Sequence, residues 1–219
     1  MNPSNLLAEE YLWQLSRSLA GGLSNPRLVH ENVAKWISHA PKFPEVRFCK
    51  GCVLPIVDMV TTEFFNSKLG LSASAANAAL RCEGASTLSG IYTPGENQVG
   101  YSGITWGTNY QGITKGGKAG RYRPCPDFGV IHAGPPSLNV LGEVKFAAKA
   151  VKRDRLLAGI RKDMDYYMGL SREPELGWHY EVGIGVAYGA MNGGEARIEV
   201  ITDDWAEKNY FVVLFSDGS

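Results

Sequence analysis

Asp127 follows a proline in "PCPDFGVIHA". Fifteen residues separate that Pro-Asp pair from Glu143 in "LNVLGEVKFA", and Lys145 comes two residues later. Charged side chains set among apolar ones are rarely buried unless they are paired or bind a metal. Two carboxylates a few ångströms apart repel, and a divalent cation between them relieves the repulsion. Hard oxygen ligands that leave room for water suit Mg²⁺ or Mn²⁺. Such an ion stabilises negative charge on a phosphodiester and lowers the pKa of a bound water. A neighbouring lysine can hold that water or offset developing negative charge. Together these residues form a kit for metal-assisted phosphodiester hydrolysis.

The elements around them must bring them together. Side chains alternate along a strand with period two. On "LNVLGEVKF", Glu143 and Lys145 therefore share a face, while Val140, Val144 and Phe146 take the other. On "CPDFGVI", Asp127 likewise opposes Phe128 and Val130. Pairing the two strands through the turn "GPPS", apolar faces inward, makes Asp127, Glu143 and Lys145 converge at one end. Pro126 cannot donate to a ladder, so Asp127 is expected at a strand edge or distortion.

The rest of the chain reads as one domain of 219 residues, long enough to bury a full core. Its first 52 residues are expected as a helical N-terminal extension, and 53–219 as the core. "NLLAEEYLWQLSRSLAGG" and "NPRLVHENVAKWISHA" have helical spacing. "LPIVDMVTTEFFNSKLG" is a third helix, with Pro55 in its first turn and Gly70 at its end. "SASAANAALRCEG" is a fourth, opened by a serine cap. Residues 86–120, dense in Gly, Thr, Ser and aromatics, point to short strands and turns. A long amphipathic helix, "VKRDRLLAGIRKDMDYYMGL", follows the Lys145 strand. "WHYEVGIGVAYGA" and "ARIEVITDDW" look like a hairpin turning at "MNGG", and "YFVVLFS" closes as a strand or helix.

Formal net charge is zero, yet charge is unevenly placed. From Lys145 to Lys162 seven basic residues stand against Asp154 alone, and from Glu173 onward nine acids stand against Arg197 and Lys208. The basic block follows the site, where a polyanion would be drawn. Within it Lys149, Lys152 and Arg153 are candidates for phosphate contacts. The N-terminus lacks a basic segment followed by an apolar one, and no apolar run approaches the roughly 18–20 residues of a membrane span. A soluble, cytoplasmic protein is expected. Cys49 and Cys52 form a lone CxxC, with Cys82 and Cys125 standing singly, so plain thiols are favoured over a zinc ribbon. The glycines of "GIGVAYG" lie inside an apolar strand rather than between a strand and a helix, which argues against a dinucleotide fingerprint. No histidine sits in a nucleophile motif.

The "PD … EVK" spacing, in paired apolar strands followed by an amphipathic helix, resembles the PD-(D/E)XK nuclease superfamily over roughly residues 120–190. The resemblance implies an α/β, restriction-endonuclease-like core, a mixed β-sheet flanked by helices in the order αβββαβ. It implies Asp127 and Glu143 as metal ligands, joined by the carbonyl of Val144, and Lys145 as the catalytic lysine. It also implies Mg²⁺ or Mn²⁺ as cofactor, DNA rather than RNA as substrate, endonucleolytic cutting and a homodimer. A further glutamate on the helix before the sheet is common in the family; Glu63 resembles it, and Glu83 is its rival. Some branches carry Gln-xxx-Tyr on the helix after the lysine strand; here Asp163 and Tyr167 stand at those positions, with aspartate replacing glutamine. The competing expectation is a non-catalytic nucleic-acid-binding or interaction module that keeps the fold.

Overall fold

A computed structural model describes residues 3–23, 45, 48–82, 126–132, 134–147, 151–170, 180–190 and 197–217. The helix expected over 25–40, the glycine-rich stretch 86–120, Glu83, Cys125 and Lys149 lie outside the described residues.

Helix α1 (Pro3–Leu23) is followed by a π-helical turn (Cys49–Val53) that runs directly into α2 (Leu54–Leu69). Pro55 stands where the π-helical turn passes into α2, and its missing N–H interrupts the hydrogen-bond ladder at that junction. Gly70 ends the helix at φ 62°, a left-handed backbone that glycine adopts without strain. The Ser72 hydroxyl accepts from Ala75 N at 3.2 Å and opens α3 (Ala73–Ala79). That helix is shorter than its alanine content predicts. Leu80–Cys82 leaves it as strand β1, because pairing with the sheet outweighs local propensity.

Strands β2 (Phe128–His132) and β3 (Leu138–Ala147), helix α4 (Arg153–Leu170) and strand β4 (Val182–Ala190) follow. Strand β5 (Arg197–Ile201), the short helix α5 (Trp205–Lys208) and strand β6 (Tyr210–Asp217) complete the described chain. The fold is α/β. One six-stranded mixed sheet has the order β1-β2-β3-β4-β6-β5. Strands β1 to β3 run as an antiparallel meander, β3, β4 and β6 are parallel, and β5 returns antiparallel at the edge. The expected β4–β5 hairpin is therefore not formed, since β6 lies between the two. Strands β4 and β6 are buried along almost their whole length and need neighbours on both sides, whereas β5 is half-exposed and suits an edge.

Alternation divides the sheet into two cores. Phe128, Val130, Val140, Val144, Ile184, Val186, Phe211 and Val213 face α1 and α2 in one cluster. Tyr11, Leu12, Leu15 and Leu19 of α1 belong to that cluster, so α1 packs against this face of the sheet. Leu141, Ala187, Val212 and Leu214 face α4, which supplies Leu156, Leu157, Ile160, Met164 and Met168. The glycines of β4 lie on this second face. A Cβ on Gly185 would stand 2.7 Å from Ile160 Cγ1, so glycine here lets α4 settle onto the strand. No described helix is long and apolar enough to cross a membrane.

Candidate functional site

Strand β3 outlasts β2. The last paired residue on the β2 side is Phe128, opposite Gly142, and β3 continues five residues further to Ala147. The N–H groups that β2 no longer meets need other acceptors. Asp127, immediately before β2, takes one: Val144 N donates to Asp127 Oδ2 at 2.6 Å. The next alternate donor, Phe146 N, reaches Glu45 Oε2 at 3.2 Å. Among the described residues, two carboxylates thus take the place of a neighbouring strand along this part of β3. In extended backbone a residue's N–H and C=O point to the same side, so the Val144 carbonyl opens toward this same edge.

Glu143 and Lys145 lie on the α4 side of the sheet, on the same face as expected. Asp127 and Glu143 are the buried acidic residues among the described ones, at 7% and 9% exposure. Glu143 Oε2 is buried with no hydrogen-bond partner among the described residues. Burial first, and then the like charges of Asp127, Asp163 and Glu45, push the Glu143 carboxyl well above the usual carboxylate range. A backbone hydrogen bond at Asp127 works the other way without reversing the shift, and a cation beside the carboxylate would offset the like charges.

Lys145 leaves the sheet toward α4. Its stem runs along Gly159, where a Cβ would meet Lys145 Cδ and Cε at 3.1 Å. Its ammonium bonds to Asp163 Oδ2, one helical turn beyond Gly159. Asp163, at the position where aspartate replaces glutamine in the resemblance, therefore touches the site through Lys145. Tyr167, one further turn along, is 3% exposed and belongs to the α4 core.

Other expected residues fall elsewhere. Glu63 is exposed on α2, whose Val60, Thr61, Phe64 and Phe65 face inward, and it is not among the charges that act on Glu143. Glu45 is the N-terminal acid that does act there. Only its place as the sole acid between Glu31 and Asp58 marks it in the sequence. Lys152 is exposed. Arg153, expected at phosphates, is instead turned to Glu199, with Nε to Oε1 at 2.9 Å and Nη2 to Oε2 at 2.5 Å, and to Asp154 at 3.2 Å. A planar guanidinium meets a carboxylate in this forked way whenever the two can align. Cys49 and Cys52 are buried thiols in the π-helical turn, and burial pushes the Cys52 thiol up to about 11.

Among the described residues no three His, Cys, Asp or Glu side chains are gathered tightly enough to hold an ion among themselves. The set expected here is smaller, namely two carboxylates and a backbone carbonyl. Comparison with protein-family models, curated proteins and solved structures gives no match.

Proposed function

We propose that this chain is a divalent-metal-dependent nuclease of the PD-(D/E)XK type that hydrolyses DNA phosphodiesters, cutting endonucleolytically. The observation that carries the reading is Glu143 Oε2, buried and unpartnered among the described residues, with Asp127 beside it and Lys145 two residues along the same face. An apolar hairpin with a surface ion pair has no use for a buried, repelled carboxylate. The succession of a helix, the β1–β2–β3 meander, α4 and a parallel β4 supports it, as it agrees with the αβββαβ order.

Asp127 and Glu143 offer oxygens to Mg²⁺ or Mn²⁺, and the Val144 carbonyl opens to the same edge. The bound ion would neutralise phosphodiester charge and acidify an attached water. The Val144 N–H donates to Asp127 Oδ2 and so orients that carboxylate. Lys145, held along Gly159, brings a positive charge to the same face and can stabilise negative charge that builds on the phosphate.

The test is cleavage of plasmid, linear duplex and single-stranded DNA with Mg²⁺, Mn²⁺ or EDTA, beside Asp127→Asn and Lys145→Ala. Metal-dependent nicking or linearisation of plasmid that both substitutions abolish, in proteins that still melt cooperatively, supports the reading. Binding of DNA without cutting would favour the non-catalytic module, and neither binding nor cutting would overturn both.

A further inference from the structure

The two edges of α4 treat positive charge in opposite ways. On the edge toward β5 and α5 the arginines are consumed. Arg153 is forked onto Glu199, and Arg161 Nε donates to Asp204 Oδ2 at 2.7 Å, with Asp203 at 3.7 Å. Glu199, Asp203 and Asp204, three of the nine acids from Glu173 onward, neutralise this edge.

The other edge borders the site. Steps of three and four residues along a helix fall on one side, so Arg155, Gly159, Lys162 and Tyr166 form a row. Gly159 abuts the Lys145 stem and Asp163 bonds the Lys145 ammonium, which fixes the direction this row faces. Lys152 begins it, since its carbonyl accepts from Leu156 N at 3.1 Å and continues the helical pattern backward. Lys152, Arg155 and Lys162 are exposed, and none has an acidic partner among the described residues. The five basic residues of 152–162 thus divide, in the fold, into a neutralised edge and an unneutralised one.

We propose that Lys152, Arg155 and Lys162 form a phosphate track that carries the backbone of bound duplex DNA past Lys145. Resting on the nuclease reading for the identity of the polyanion, the track answers a difficulty that the site itself creates. The like charges of Asp127, Asp163 and Glu45 act on Glu143, and this acidic surrounding would repel a phosphate backbone. Cations just outside that cluster offset the repulsion and hold the strand in register. The ten residue steps from Lys152 to Lys162 rise about 15 Å along a helix. That matches roughly four phosphates of one strand at about 3.4 Å of axial rise each.

The test measures anisotropy of a short labelled duplex in Ca²⁺ across a salt series, for the wild type, Arg155→Ala, Lys162→Ala and the double variant. Lys68→Ala, on α2, is the control. Each neutralised phosphate contributes about 0.9 to the log–log salt slope. Each single variant is expected to lower the slope by about that amount and to weaken binding several-fold at low salt; the double lowers it about twice as far, and Lys68→Ala leaves it unchanged. Arg155→Gln and Lys162→Gln repeat the measurement should either alanine variant melt early. Slopes equal to wild type overturn the track, even where plasmid is cut and the nuclease reading stands. Lowered slopes in a protein that never cuts DNA support the track and remove the nuclease. A wild type that binds RNA but not duplex DNA, or neither, overturns it.

Discussion

Lys145 and Asp163 are joined by a hydrogen-bonded ion pair across the seam between β3 and α4, eighteen residues apart in sequence and one helical turn from the glycine on which the lysine stem rests. The pair is partly shielded, with side-chain exposures of 34% and 26%. It fixes where the lysine ammonium stands relative to Glu143. On the proposed function Asp163 is a positioning residue. Asp163→Ala is expected to lower kcat by about 10-fold or more, within the range seen when an orienting partner is removed, with KM little changed. Asp163→Asn should recover part of the loss. In the background of Lys145→Ala, removing Asp163 should cost little more, since the two act as one unit. Additive losses in that cycle would show that Asp163 acts elsewhere.

Gly159 offers a substitution whose effects on stability and activity run in opposite directions. Alanine in a helix interior is favoured over glycine by about 0.8–1.0 kcal/mol. The new Cβ, however, would stand 3.1 Å from Lys145 Cδ and Cε, so the lysine stem must shift by a few tenths of an ångström while Asp163 holds its end. Gly159→Ala is expected to melt no lower than wild type, yet to cleave several-fold more slowly. Thermal melts and initial rates on one preparation decide it; an unchanged rate would mean that the lysine has slack.

What could be read in the sequence was short in range. Strand alternation placed Glu143 and Lys145 on one face and Val140, Val144 and Phe146 on the other, because the period of two is a property of the backbone. Pro55, Gly70 and Ser72 marked helix ends through local chemistry. Contacts set by tertiary pairing were not legible. Glu45 meets Phe146 N across 101 residues, and no local pattern announces it. Arg153 meets Glu199 across 46 residues, and nothing local in its basic run shows that an acid engages it. The β4–β5 hairpin failed for the same reason: "MNGG" is a sound turn signal, but the burial of β4 on both sides decided its neighbours.

Arg153 and Arg155 should accordingly behave as opposites. Arg153→Ala breaks the fork to Glu199, which ties α4 to edge strand β5. The pair is partly exposed, so the loss is expected at about 1 kcal/mol or less, a lowering of Tm by about 2–4 °C for a chain of this size. DNA affinity should stay within about twofold. Arg155→Ala should leave Tm in place. Denaturation and binding measured on both variants check the contrast, and a large loss of DNA affinity in Arg153→Ala would return that residue to the interface.

Glu143 makes stability depend on pH in a direction opposite to most carboxylates. Burial and the neighbouring charges of Asp127, Asp163 and Glu45 raise its folded-state pKa above the unfolded value, while Lys145 on the same face is engaged by Asp163. The folded chain therefore holds the Glu143 proton where the unfolded chain has released it. Its contribution is fully present below the unfolded pKa and is lost as pH rises through the folded one. In EDTA at neutral pH, Glu143→Gln removes this penalty and is expected to raise Tm by several degrees. Near pH 4, where the wild-type carboxyl is protonated in the fold, the gain should shrink. Mg²⁺ should then raise the wild-type Tm in proportion to its binding, because a ligand selective for the folded state stabilises it by mass action. Glu143→Gln should show little of that rise. Melts of both proteins from pH 4 to 8, with EDTA or Mg²⁺, test the two halves separately. A Glu143→Gln protein less stable than wild type in EDTA at neutral pH would mean that the buried carboxylate is already paired.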